Sequence, residues 1–337
     1  MQVVSAKPEY PWTFDNDLFG GPDFWGLVNK DWRMCTYGQM QSPINVDPSQ
    51  LLFDPNVRPL VVDKLPVSAI LENVGQLPII TMNSSSNLPS VNISGGPLGS
   101  YRYRLHHILL HFGKAPEKQG SEHTIDGVRF PAEIQLLGYN SDLYRNFSEA
   151  MTQPRGLVGI AVMIDIGATT NYELKKLTVS SASITYKGMK SDLLDLIPSD
   201  LLSKTVHFVT YDGSLTYPGC YETVTWIVMN KPLYITVQDL HFWNDLQQTE
   251  TKQSNPVFMS PNYRPLRDLN GRLLRTNINF QTRTSSNACP SMYTDMHYKA
   301  NPNRIQSNRI GIDKRDVSSY VRDTVDYALD SSVNQLQ

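Results

Sequence analysis

Residues 103–112 and 130–139 are the two runs that most constrain this chain. Both are apolar or β-favouring along most of their length, with a turn-rich stretch between them, so they read as a pair of strands. Side chains alternate across a strand. His107, Leu109 and His111 therefore share one face of the first run, and Glu133, Gln135 and Leu137 share one face of the second. Residues i and i+2 on such a face have Cα atoms about 6.6 Å apart, a natural frame for a metal site. Here the frame holds one histidine beside a leucine, with a glutamine on the other strand. The same alternation sends His106 to the opposite face, and it puts the Cα of His107 about 13 Å from that of His111, too far for both to hold one ion.

Further β-type runs lie at 69–73, 77–82, 156–166, 207–210, 223–229 and 233–237, separated by Gly, Pro and Ser turns. Short helices are expected at 191–196 and from 236 to about 247. So many strands with so few helices predict a mainly β fold with a mostly antiparallel sheet. No linker is visible between 21 and 280, so the chain reads as an amino-terminal arm (1–20), one domain (21–280) and a tail (281–337). The tail carries a candidate amphipathic stripe of Val317, Tyr320, Val321, Thr324 and Ala328. A net charge of −2 offers nothing to attract nucleic acid, and the most apolar run, 156–168, is too short to span a bilayer. The series Arg264, Arg267, Arg272 and Arg275 reads as a solvated face. No G-x-S-x-G, P-loop or C-x-x-C pattern occurs.

Three blocks carry a resemblance: Ile108-Leu109-Leu110-His111-Phe112-Gly113, Gly120-Ser121-Glu122-His123-Thr124-Ile125-Asp126 and Ala132-Glu133-Ile134-Gln135-Leu136. Together they resemble the zinc-binding region of the α-carbonic anhydrases, whose pattern is F-H-F-H-W-G, G-S-E-H-T-x-D and A-E-L-H-L. Gln41-Ser42-Pro43-Ile44-Asn45-Val46 and Tyr211-Asp212-Gly213-Ser214-Leu215-Thr216 extend the match. The resemblance implies a central twisted sheet of about ten strands with surface helices. It places the three zinc ligands of the family at Leu109, His111 and Gln135. Thr216 and Glu122 fall where the family pairs a hydroxyl with a glutamate, Glu133 where it orients a zinc histidine, and Gln76 where it has its proton shuttle. His123 matches a structural, hydrogen-bonded histidine. Gly159 and Tyr217 stand where the pocket has other residues.

Carbon dioxide hydration needs a hydroxide at neutral pH, which a zinc ion with three protein ligands and one open position supplies. Leu109 has no lone pair, Gln135 offers only a neutral amide oxygen, and His111 alone cannot hold the ion. The expectation is no metal, no cofactor and no catalytic residue. The alternative is a weak or residual hydratase or esterase activity.

The chain has three cysteines, Cys35, Cys220 and Cys289. The resemblance to secreted members implies a Cys35–Cys220 disulfide. Sequons at Asn83, Asn92 and Asn146 fit an exported glycoprotein, although the first residues contain no stretch with the apolar core of a signal peptide. The closer likeness is to the non-catalytic branch of carbonic anhydrase-related proteins ten and eleven, carried by Phe24-Trp25-Gly26-Leu27-Val28-Asn29 and Met229-Asn230-Lys231-Pro232 among others. That branch implies a secreted ligand of neurexin-type receptors, with Cys289 as the position of a covalent bond to the extracellular partner.

Overall fold

The long apolar runs become strands buried on both faces, as expected when a sheet has protein above and below it. A computed structural model describes residues 12–83, 89–114 and 119–278, all within one compact unit. Ten strands form the main sheet path: β1 (Leu51–Phe53), β2 (Val67–Asn73), β3 (Pro78–Met82), β4 (Tyr103–Phe112), β5 (Ala132–Asn140), β6 (Leu157–Ile166), β7 (Lys190–Leu196), β8 (Phe208–Gly213), β9 (Val224–Met229) and β10 (Leu274–Thr276). Their spatial order is β7-β2-β3-β4-β5-β6-β9-β8-β10-β1, and side strands bring the sheet to 13 among the described residues. Neighbours on this path run antiparallel, except where β6 meets β9 and β10 meets β1. The expected mainly β architecture is therefore present.

Alternation sorts the core into two layers. Ile108, Leu110 and Phe112 of β4 join Ile134 and Leu136 of β5 and Ile160 and Val162 of β6 on one face. Leu109, Leu137, Ala161 and Met163 take the other face, with Trp25, Leu215 and Trp226. β4 breaks this rule once. Tyr103 and Leu105 belong to the first layer, yet so do Ile108 and Leu110, because the pairing with β5 slips at Leu137/Gly138. Leu137 lies opposite His107 and Gly138 opposite Leu105, so His106 is an extra, unpaired residue.

Residues 191–196 are not a helix but part of β7. Leu193 and Leu196 are buried three residues apart, a helical spacing. The register shifts between these two residues and Asp195 has φ 53°, so an inserted residue resets the strand's alternation and mimics that spacing. Helix α1 (Phe147–Ala150) packs beside β5. Helix α2 (Tyr172–Ser181) was not anticipated, although its buried Leu174, Leu177, Thr178 and Ser181 follow a helical stripe behind the Asn171 cap. Helix α3 (Val237–Asn244) lies where the sequence put it, with the Thr236 hydroxyl accepting from the Asp239 N–H.

Of the expected amino-terminal arm, residues 12–20 begin with packed rings rather than a loose chain. Trp12 and Phe14 are buried and meet Trp25 edge-on at 5.5 and 5.9 Å. Cys35 and Cys220 are joined by a disulfide across a sequence separation of 185. In the chain-entropy model such a loop contributes about 5 kcal/mol. Cys289 and the tail stripe lie outside the described residues. No helix of the described residues is long and apolar enough to cross a membrane.

Candidate functional site: a polar centre without a ligand set

The regular part of the β4–β5 ladder sets Gln135 directly opposite Leu109, and Glu133 opposite His111. All four side chains are buried, together with Glu122, His123 and Thr216. A buried polar group is costly unless hydrogen-bonded, so the question is where each atom finds its partner.

Gln135 holds the middle. Its Nε2 donates to Glu122 Oε2 at 2.8 Å and to Glu133 Oε1 at 2.9 Å. Each amide hydrogen thus reaches a different carboxylate. Glu133 also accepts from the His123 backbone N–H at 2.8 Å, and its Oε1 lies 2.8 Å from His123 Nδ1. His123 Nε2 sits 2.7 Å from the Tyr211 hydroxyl, which donates to Ser42 Oγ at 2.9 Å. Burial alone works to raise the Glu133 pKa, but the charge and hydrogen bond of His123, with His111 and Gln135 behind them, outweigh it and hold the carboxyl low. Glu122 Oε1 accepts from the Arg264 backbone N–H at 2.9 Å.

Thr216 does not meet Glu122 directly, as the family pattern would have it. Both Glu122 oxygens are occupied by Arg264 and Gln135, and Thr216 Oγ1 faces Gln135 Oε1 at 3.5 Å. The amide has come between them. His111 Nδ1 lies 2.7 Å from the Asn262 carbonyl, so Nδ1 carries the hydrogen. Its Nε2 has no hydrogen-bond partner and lies 3.5 Å from Glu122 Oε2, with Phe14 edge-on at 5.8 Å.

This donor set does not fit zinc. Leu109 offers nothing, the Gln135 nitrogen is committed to two carboxylates, and one free imidazole nitrogen remains. Among the described residues no three His, Cys, Asp or Glu side chains are grouped to hold a metal ion. The surroundings of the centre are occupied as well. Half-buried Gln76 donates to the Trp12 carbonyl at 3.1 Å. The Trp226 ring fills the space at Gly159, where a Cβ would come within 2.6 Å of it. Tyr217 is half-buried and desolvation raises its phenol.

The basic series is only partly a solvated face, which corrects the expectation. The Arg264 guanidinium is fully buried, donates to the Ser42 carbonyl at 2.7 Å and lies 5.3 Å from the Trp25 ring centre. Burial, with Arg267 nearby, pulls its pKa down to about 9. Its role and that of Asn262 had no local signature, because their partners lie 142 and 151 residues away in sequence.

His106 also departs from expectation. At the bulge two successive side chains leave the same side of the strand, so His106 and His107 meet with Nδ1 atoms 2.7 Å apart instead of facing away. A cleft of about 430 Å³, lined by Met40, Arg155, Asp212, Glu222 and Arg275 among others, includes none of the residues of the Gln135 centre. Of the sequon residues, Asn83 and Asn146 are exposed, whereas half-buried Asn92 donates from Nδ2 to Asp63 Oδ2 at 2.8 Å.

Residues 20–278 match the family model described as eukaryotic-type carbonic anhydrase. The chain is 59% identical over 292 residues to carbonic anhydrase-like protein 2 of Caenorhabditis elegans, covering 86% of this chain and 87% of that protein. It is 39% identical over 338 residues to carbonic anhydrase-like protein 1 of the same organism, covering 82% of this chain and 92% of that protein.

Proposed function

The chain belongs to the eukaryotic-type carbonic anhydrase family, and from that premise we propose that it is a catalytically inactive member that works by binding another protein outside the cell. One observation carries the loss of catalysis: the Gln135 amide bridges Glu122 and Glu133, so the polar shell closes on an amide rather than orienting metal ligands. The centre then serves the fold as a buried hydrogen-bond network, with His111 Nε2 left without a partner. Secretion draws support from the Cys35–Cys220 bond and from exposed Asn83 and Asn146. A neurexin-type receptor, joined through Cys289, is the partner that the resemblance to the related-protein branch suggests.

The test is metal analysis and stopped-flow carbon dioxide hydration on the purified chain, with partner capture run with and without reductant. We expect no stoichiometric zinc, no hydration above the buffer rate, and a complex that Cys289→Ser removes from non-reducing gels. One retained zinc per chain with rapid turnover would overturn the inactive reading. A complex unchanged by Cys289→Ser would overturn the covalent one.

A second reading, weak residual hydratase or esterase activity, rests on the unpartnered Nε2 of His111, a surviving ligand atom beside Glu122. It would show as a slow rate abolished by His111→Ala.

A further inference from the structure

The bulge on β4 gathers two imidazoles that the proposed function leaves unused. The His106 ring stacks on Phe147 with centroids 4.5 Å apart, and the His107 ring meets the same phenyl edge-on at 4.8 Å. Tyr139 stands 6.4 Å from His106. His107 is 7% exposed and His106 is half-buried, so the pair is walled by aromatic rings but reachable from one side. With Nδ1 atoms 2.7 Å apart, one ring's N–H points at the other ring's lone pair. The two lone-pair directions therefore run along a common line.

We propose that His106 and His107 form a two-coordinate site for a soft monovalent cation, copper(I) with silver(I) as its redox-inert analogue, bound through both Nδ1 atoms. The ion takes the place of the shared proton. That proton moves to Nε2 of its own ring, so both rings finish as neutral Nε2–H tautomers, no proton leaves, and the site gains one positive charge. No electron is transferred.

Two nitrogens held by one ion stand roughly 4 Å apart, twice a typical metal–imidazole bond. The rings must therefore part by about 1.3 Å, which the half-buried His106 supplies by swinging outward. Burial holds His106 down to about 4; burial and then the neighbouring His106 hold His107 well below its usual range. At neutral pH neither ring takes a second proton, so the ion has only the shared one to displace. The donor chemistry selects the ion. Two neutral nitrogens without a carboxylate do not satisfy zinc, which takes four ligands, or the hard oxygen-seeking cations. A single charge also costs less to bury than a double one.

The experiment uses the full chain with ¹⁵N-labelled imidazoles, titrated anaerobically with silver(I), alongside copper(I) titration against a chromophoric chelator. One equivalent of silver should move the Nδ1 resonances of two of the seven histidines, His106 and His107, and show ¹⁵N–silver coupling. Copper(I) should load at one ion per chain, unchanged in Cys289→Ser. Either His106→Asn or His107→Asn should weaken it on the order of a hundredfold or more, at least what losing an outer-shell partner costs a metal site. Silver that leaves both Nδ1 resonances in place, or copper uptake that Cys289→Ser abolishes, would overturn the proposal. The labelled wild-type chain decides this even if a variant fails to fold.

Discussion

β4 carries two histidine sites, and they differ in one structural respect. At His111 the ladder with β5 is regular; at His106 and His107 it carries an extra residue. The regular segment brings side chains of β4 and β5 face to face, so Leu109 and Gln135 sit opposite each other beside a dense polar network around two buried carboxylates. The bulged segment instead turns two neighbours of one strand toward each other inside an apolar wall. A regular ladder can thus keep two buried carboxylates hydrogen-bonded through one amide, while a register slip further along the same strand brings two neighbouring imidazoles together.

The comparison breaks most decisively if the regular site can be given the ligand set that the family resemblance implies. Leu109→His with Gln135→His should place three imidazoles on one frame and take up one zinc per chain by elemental analysis, with binding worth on the order of 10 kcal/mol. An empty double variant would mean that the shell around Glu122 and Glu133 no longer holds ligand geometry. Next in size, Gln135→Leu removes the amide that both carboxylates share. Losing two hydrogen bonds to carboxylates, about 1.5–3 kcal/mol each, should lower stability in urea unfolding. A loss under about 1 kcal/mol would show that the carboxylates do not depend on Gln135.

The bulged site is sharpened by pH. Its histidines have depressed folded-state pKa values, His106 at about 4 against 6.5 for the ordinary side chain. The unfolded chain therefore binds more protons between these values. The stabilising contribution is full above about 6.5 and is lost as pH falls toward 4. Thermal unfolding across that window should show a steeper loss in the wild type than in a His106→Phe, His107→Phe variant, and equal slopes would sink the assignment. The smallest effect is expected at Asn146, whose Oδ1 accepts from the Glu149 N–H and starts the helix that presents Phe147 to both imidazoles. Asn146→Ala should cost about 1 kcal/mol, read by chemical denaturation.

Much of the fold was legible because burial on both faces writes long apolar runs into the sequence. β4 was read at its observed limits, and the main strands around it to within a few residues. Misreadings fell where a local rule was overridden. β7 reads as a helix because its bulge at Asp195 imitates helical spacing, and His106 reads onto the opposite face because alternation assumes an uninterrupted strand. Arg264 read as surface because arginines usually are, yet carbonyl acceptors and the Trp25 ring hold it inside.

The sequence by itself determined which donor atoms exist and that Leu109, His111 and Gln135 belong to one frame, since side-chain identity and strand alternation are local properties. Only the tertiary structure decided that the Gln135 amide spans Glu122 and Glu133, that His111 Nε2 is left unpartnered, and that His106 turns toward His107. Those outcomes depend on partners far along the chain and on cross-strand register, which chain order does not record.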